Sequence, residues 1–260
     1  MIFRRGFAHS HIDNNDYGMN GVEEKIVALI ADLDHPEKPK IRAAVDALID
    51  LSADAPGLRA ALEQALNDEQ RKNRWAVAYV LGHLPQPSGA AIRVLLGDLD
   101  HREPDIRWAI ALLLVRIAKA EGDLANLLLA LSAGGTVNQR RMAIYCIRDL
   151  QFTDDASMRA LLAAARDEEP TVRVAALTSL KSRSDVGAAA RRQLLERFEN
   201  DEDGRVRNAS AVILAQLGAP DEAFIRALQQ AAQSSDPRAR KAALAALDLL
   251  QKNGPAPRDS

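Results

Sequence analysis

The sequence predicts an all-α chain, a right-handed α-solenoid (α-α superhelix) of about seven stacked helical hairpins, and three observations predict it. An Arg-x-Ala pattern recurs seven times, at Arg42, Arg74, Arg107, Arg141, Arg173, Arg207 and Arg240, with spacings of 32, 33, 34, 32, 34 and 33 residues. The alanine is present each time, as Ala44, Ala76, Ala109, Ala143, Ala175, Ala209 and Ala242. Hydrophobic residues fill 47 % of the 260 positions but aromatics only 4 %. The apolar residues are mostly Ala and Leu, which suit a helix better than a strand. Proline stands three residues before the arginine in four units, at Pro39, Pro104, Pro170 and Pro237. The first turn of a helix tolerates its missing N–H. A fixed period of this length marks stacked repeats, because one hairpin cannot bury its own apolar face.

Each unit reads as two helices joined by a polar turn. In the third, a first helix is expected over Ser88–Leu99, and Pro104 opens the second. An acid precedes the proline or its equivalent at Glu103, Glu169, Asp203 and Asp236. There a carboxylate can cap free N–H groups and complement the positive end of the helix. Counting from the arginine, positions +2, +3, +6 and +7 form the apolar stripe of each second helix. Unit two supplies Ala76, Val77, Val80 and Leu81, and unit three Ala109, Ile110, Leu113 and Leu114. The recurring alanine predicts a close crossing of the two helices of a unit. Two units depart: Asn73 and Arg140 replace the aliphatic residue before the arginine, and unit four opens through GGTVNQ, without proline or acid. A local kink or altered twist is expected there. Residues 1–20 are polar and non-periodic, an expected flexible arm with Met19 as an alternative start. Residues 21–252 are the repeat domain, and 253–260 an expected disordered tail.

The segments DEEPTVRVAALTSL, DEDGRVRNASAVILAQL and SSDPRARKAALAAL resemble HEAT repeats. They are most similar to the short kind of the phycobilin lyases (PBS lyase HEAT-like repeats) and of many bacterial scaffold proteins. The resemblance spans about residues 22–252. It implies a solenoid of HEAT-like hairpins whose second helices line the concave surface. It does not choose among the family's many functions.

The net charge of −2 gives no support to bulk binding of nucleic acid or of an anionic membrane. Residues 1–130 carry 15 basic and 19 acidic side chains, a difference of −4; residues 131–260 carry 19 and 17, a difference of +2. Cys146 is the lone cysteine, so no intrachain disulfide can form and a reducing compartment fits. The apolar run around Ile110–Val115 is too short to span a bilayer, and the N-terminus lacks the apolar core of a secretory signal. A soluble, cytoplasmic and monomeric chain is expected.

The seven arginines are expected to form a structural ladder, each guanidinium bridging carboxylates or carbonyls of neighbouring turns. The residues expected to bind a partner are Trp75, Tyr79, Trp108, Leu112, Val115, Met142 and Tyr145, which gather aromatic and apolar side chains in the middle units. No catalytic residue, metal or cofactor is expected. His9-x-His11 lies in the expected arm, there is no HExxH or GxSxG, and Cys146 reads as an inert cysteine with a reactive thiol as the alternative. The function expected is a non-catalytic scaffold or adaptor gripping a segment of another protein in the concave groove. One alternative, resting on the resemblance, is a bilin or chromophore lyase or chaperone using that groove. A second is a HEAT-like DNA alkylation-repair glycosylase, for which Trp75, Trp108 and Asp149 speak and the low basic charge does not.

Overall fold

A computed structural model of the chain describes residues 16–53, 55, 57–120, 122–151, 154–181, 187–217 and 222–253. Among them stand fourteen α-helices and no strand. In the first half of the chain these are α1 (Asp16–Asp32), α2 (Lys38–Asp50), α3 (Leu58–Asn67), α4 (Arg74–His83), α5 (Gly89–Gly97), α6 (Pro104–Ala120) and α7 (Asp123–Gly134). Then follow α8 (Val137–Leu150), α9 (Asp155–Ala164), α10 (Pro170–Leu180), α11 (Ala188–Asn200), α12 (Gly204–Gln216), α13 (Glu222–Ala232) and α14 (Pro237–Asn253). In chain order they alternate as the first and second helices of the seven repeats, and the fold class is an α-solenoid. Helix α1 begins at Asp16, ahead of the expected domain start at 21, and α14 runs through Asn253. The remainder of the expected arm (1–15) and of the expected tail (254–260) lies outside the described residues.

The chain divides into two compact units at Leu95/Leu96, inside α5. In the first unit α1 packs on α2 and α3, α2 on α4, and α3 on α4. Leu33, Leu48, Leu62, Leu66 and Leu81 fill its interior. Asn73, one of the two departures from the repeat, ties hairpin two to hairpin one: its N–H donates to Asp34 Oδ1 at 3.0 Å and its Nδ2 to the Leu33 carbonyl at 3.0 Å. Arg71 adds an ion pair to Asp34 at 3.0 Å.

In the second unit the second helices pack side by side, α6 on α8, α8 on α10, α10 on α12 and α12 on α14. A continuous apolar cluster runs from Ile144 through Leu177 and Leu194 to Ala246. Of the seven repeat alanines, Ala44, Ala76, Ala143, Ala175 and Ala242 are buried, and Ala109 and Ala209 are half-buried.

The opening of hairpin four has its own chemistry. Thr136 caps α8: its Oγ1 accepts from the Gln139 N–H at 3.3 Å, and Gln139 Oε1 accepts from the Thr136 N–H at 2.9 Å. This capping box satisfies the orphan N–H groups that an acid covers elsewhere. Gly135 must be glycine, since a Cβ there would stand 2.8 Å from Gln139 Cβ and 2.9 Å from the Leu131 carbonyl oxygen. Helix α8 runs uninterrupted from Val137 to Leu150, and the departure appears as a one-residue shift of register. Arg140, not Arg141, stands where the other units place their arginine. It donates to the Gly135 carbonyl at 3.0 Å and to both carboxylate oxygens of Asp167 at 2.8 Å, whereas Arg141 bonds Asn138 Oδ1 at 3.2 Å. Counted from Arg140, the neighbouring spacings become 140 − 107 = 33 and 173 − 140 = 33. Positions +2, +3, +6 and +7 then become Met142, Ala143, Cys146 and Ile147, all buried.

Candidate functional site

The repeat arginines are engaged by the inter-helix turns. Arg173, 8 % exposed, donates to the carbonyls of Asp167 at 2.8 Å and Glu168 at 2.9 Å in its own hairpin, and to Asp201 Oδ1 of the next turn at 2.8 Å. Arg207 repeats the geometry on the carbonyls of Asp201 at 2.7 Å and Glu202 at 3.0 Å, reaching Asp236 Oδ2 at 3.0 Å. Arg107 holds the carbonyls of His101 and Arg102, Arg240 that of Ser234 and Arg74 that of Leu66. Arg42 is exposed. Such charge-assisted bonds are stronger than neutral ones. Burial lowers the Arg107 pKa, whereas the Asp167 carboxylate raises that of Arg140.

A second recurring device went unread in the sequence. Two residues before the residue that precedes the second helix, a side chain accepts that residue's N–H. His35 Nδ1 does so for Glu37 at 3.0 Å, His101 Nδ1 for Glu103 at 3.1 Å and Asp167 Oδ1 for Glu169 at 2.9 Å. Asp201 Oδ1 does so for Asp203 at 3.0 Å and Ser234 Oγ for Asp236 at 3.1 Å. Of the expected acidic caps, Asp203 accepts the Arg205 N–H at 2.7 Å and Asp236 the Arg238 N–H at 2.9 Å, while Glu169 makes no side-chain cap bond. The Arg205 guanidinium, with backbone N–H groups, pulls the Asp203 carboxyl down to about 2.

The seven residues expected to bind a partner are divided. Trp75 and Tyr79 lie on α4 in the first unit and are half-buried. The Tyr79 ring stands 4.6 Å from that of His83, tilted by 49°. The other five lie in the second unit, and three of them form a surface. Trp108 and Leu112, four residues apart on α6, are 40 % and 61 % exposed. Tyr145 of α8 stacks on Trp108, with ring centroids 5.0 Å apart and planes at 28°. The Arg148 guanidinium lies 5.0 Å from the Tyr145 ring centre, a cation–π contact, and its Nε donates to Asp149 Oδ1 at 2.7 Å. The Asp149 carboxylate raises the Arg148 pKa, so the guanidinium stays charged.

Val115 and Met142 are corrected by burial, at 7 % and 1 % exposure. With Arg140 as reference, Met142 falls at +2, in the apolar stripe. Val115 lies one turn from both Ala111 and Ala118, which are buried, so it shares their side of α6. Both pack inside the unit and offer nothing to a partner.

Cys146 is buried, its Sγ 3.7 Å from the Ala111 carbonyl oxygen. Burial, with the Asp149 charge, pushes its thiol up to about 12, which removes the thiolate that reactivity needs. Among the described residues no group of three His, Cys, Asp or Glu could hold a metal ion, and His9 and His11 lie outside them. No helix among the described residues is long and apolar enough to cross a membrane. An open cleft of about 700 Å³ is lined by residues that include Phe198, Asp201, Arg207, Ala231 and Asp236, of which Asp201, Arg207 and Asp236 are bonded within the ladder.

The model of the HEAT-repeat family matches residues 124–215, hairpins four to six of the stack just described. Over these residues the chain is built of HEAT repeats. Two solved structures show the same fold for this HEAT-repeat chain. YibA of E. coli is similar with a TM-score of 0.52 at 13 % identity, over 96 % of this chain and 100 % of that one. Kap121p, in its complex with Pho4p, is similar with a TM-score of 0.59 at 13 % identity, over 92 % of this chain and 31 % of that one. At such identities the likeness concerns the fold alone. No curated protein matches this HEAT-repeat chain by sequence.

Proposed function

We propose that this HEAT-repeat protein is a non-catalytic interaction scaffold that binds a segment of another protein on the solvent-facing side of α6 and α8, the concave side in this family. The observation that carries the reading is the exposed pair Trp108 and Leu112, flanked by Tyr145. A tryptophan and a tyrosine held rigidly beside an open aliphatic side chain are the residue types on which interface energy concentrates. The bound Pho4p in the Kap121p structure supports the reading, since it is a protein partner on a similar fold. The cytoplasm suits a chain whose lone cysteine is a buried free thiol.

The test is affinity capture from native lysate with wild type and a Trp108→Ala/Leu112→Ala variant. Both residues are exposed, so helical circular dichroism is expected to be unchanged. Each anchor is expected to contribute about 2 kcal/mol, so a partner retained by wild type is lost by the variant. Equal retention by both forms, or no partner for either, overturns the proposal.

A further inference from the structure

Three consecutive second helices of the second unit, α6, α8 and α10, pack side by side, and a cation stands near the C-terminal end of each. Counted from Arg107, Arg140 and Arg173, these are Arg116 at +9, Arg148 at +8 and Lys181, the residue that follows α10, at +8. Arg116 and Lys181 are exposed, and the Arg148 side chain is 29 % exposed. About one turn earlier, at +5, the same helices carry Leu112, Tyr145 and Thr178, the first exposed and the others half-buried. Packed helices lie about 8–10 Å apart, so a largely apolar lane crosses the three helices with a cation beside each step. Asp149 sits on this edge paired to Arg148, so the net positive charge of the edge comes from Arg116 and Lys181. The whole chain carries −2, so this positive edge is a local segregation of charge.

Resting on the scaffold reading above, we propose that the partner segment is acidic. It would lay an apolar stripe along Leu112 and Tyr145 and run Asp or Glu side chains past Arg116, Arg148 and Lys181. Charge complementarity of this kind sets partner choice and association rate. A nucleic acid would meet the same cations, but the observations favour a protein. Duplex DNA carries a charge about every 1.7 Å, far denser than one cation per helix. The exposed aliphatic Leu112 offers a phosphate nothing.

The test selects displayed random peptides against the immobilised full chain. Enriched peptides are then titrated against wild type, Trp108→Ala/Leu112→Ala and Arg116→Glu/Lys181→Glu. The charge-reversed residues are exposed and the Arg148–Asp149 pair is left in place, and helical circular dichroism checks that the fold is kept. Enriched peptides are expected to be net negative with interleaved apolar residues. They should bind each variant at least about tenfold more weakly and weaken as salt rises. Neutral or basic peptides that still depend on Trp108 and Leu112 overturn the acidic partner and leave the scaffold reading standing. Peptides indifferent to both variants, or no enrichment, overturn the lane itself. A short duplex DNA that binds more tightly than any selected peptide, and is lost on charge reversal, overturns the protein partner in favour of nucleic acid.

Discussion

Asp201→Ala is expected to lower the unfolding free energy by about 3–5 kcal/mol, the cost of breaking a buried ion pair by removing one partner. The Asp201 side chain is 1 % exposed and serves three donors. Arg173 reaches it at 2.8 Å, Arg197 at 3.4 Å, and the Asp203 N–H at 3.0 Å. Alanine would leave the Arg173 charge in a site only 10 % exposed and would free the turn that opens α12. The damage should begin in hairpins five and six, because each repeat is stabilised through its neighbours. Urea titration followed by circular dichroism measures the loss, and Asp201→Asn, which keeps an acceptor without the charge, should fall between. A loss below about 1 kcal/mol, the scale of a surface ion pair, would mean that the turn network carries little of the stability.

Arg140→Ala is expected to cost about 2–4 kcal/mol and Arg141→Ala less than about 1 kcal/mol. The two arginines are adjacent and alike in composition, and only geometry separates them. Arg140 grips both oxygens of Asp167 with side-chain exposures of 13 % and 11 %, whereas Arg141 has one bond to Asn138. Thermal or urea unfolding of the two variants side by side checks the order. The reverse order would return the register of hairpin four to Arg141.

That pair shows what the sequence could and could not reveal. The fold was legible because the layers repeat one local solution: an arginine near the start of the second helix, a buried or half-buried alanine two residues on and, in four of them, a proline in that helix's first turn. Hairpin four satisfies the Arg-x-Ala pattern at Arg141 only because a second arginine stands beside the one in use and Ala143 fits the stripe in either register. The shift placed Met142 on the surface in sequence and in the core in the structure, while Tyr145 aligned with Leu112 at +5. Trp108, Leu112 and Tyr145 stand out in the sequence because large side chains occur where the end layers mostly carry small or polar ones. Val115 was misread because α6 continues to Ala120 and its last turns keep Ala111 and Ala118 buried beside it. The turn acceptors stayed hidden because histidine, aspartate and serine all perform the role, so no single letter recurs. The cation row Arg116, Arg148 and Lys181 was masked by a whole-chain charge near neutrality, which averages over faces that the fold separates.

The central claim is that α6 and α8 present the surface on which a protein partner docks. Hydrogen–deuterium exchange of the full chain, with and without a captured partner, tests it most directly. The account predicts slowed exchange in peptides covering Pro104–Ala120 and Val137–Leu150. Protection confined to other helices, with these two unchanged, would contradict it.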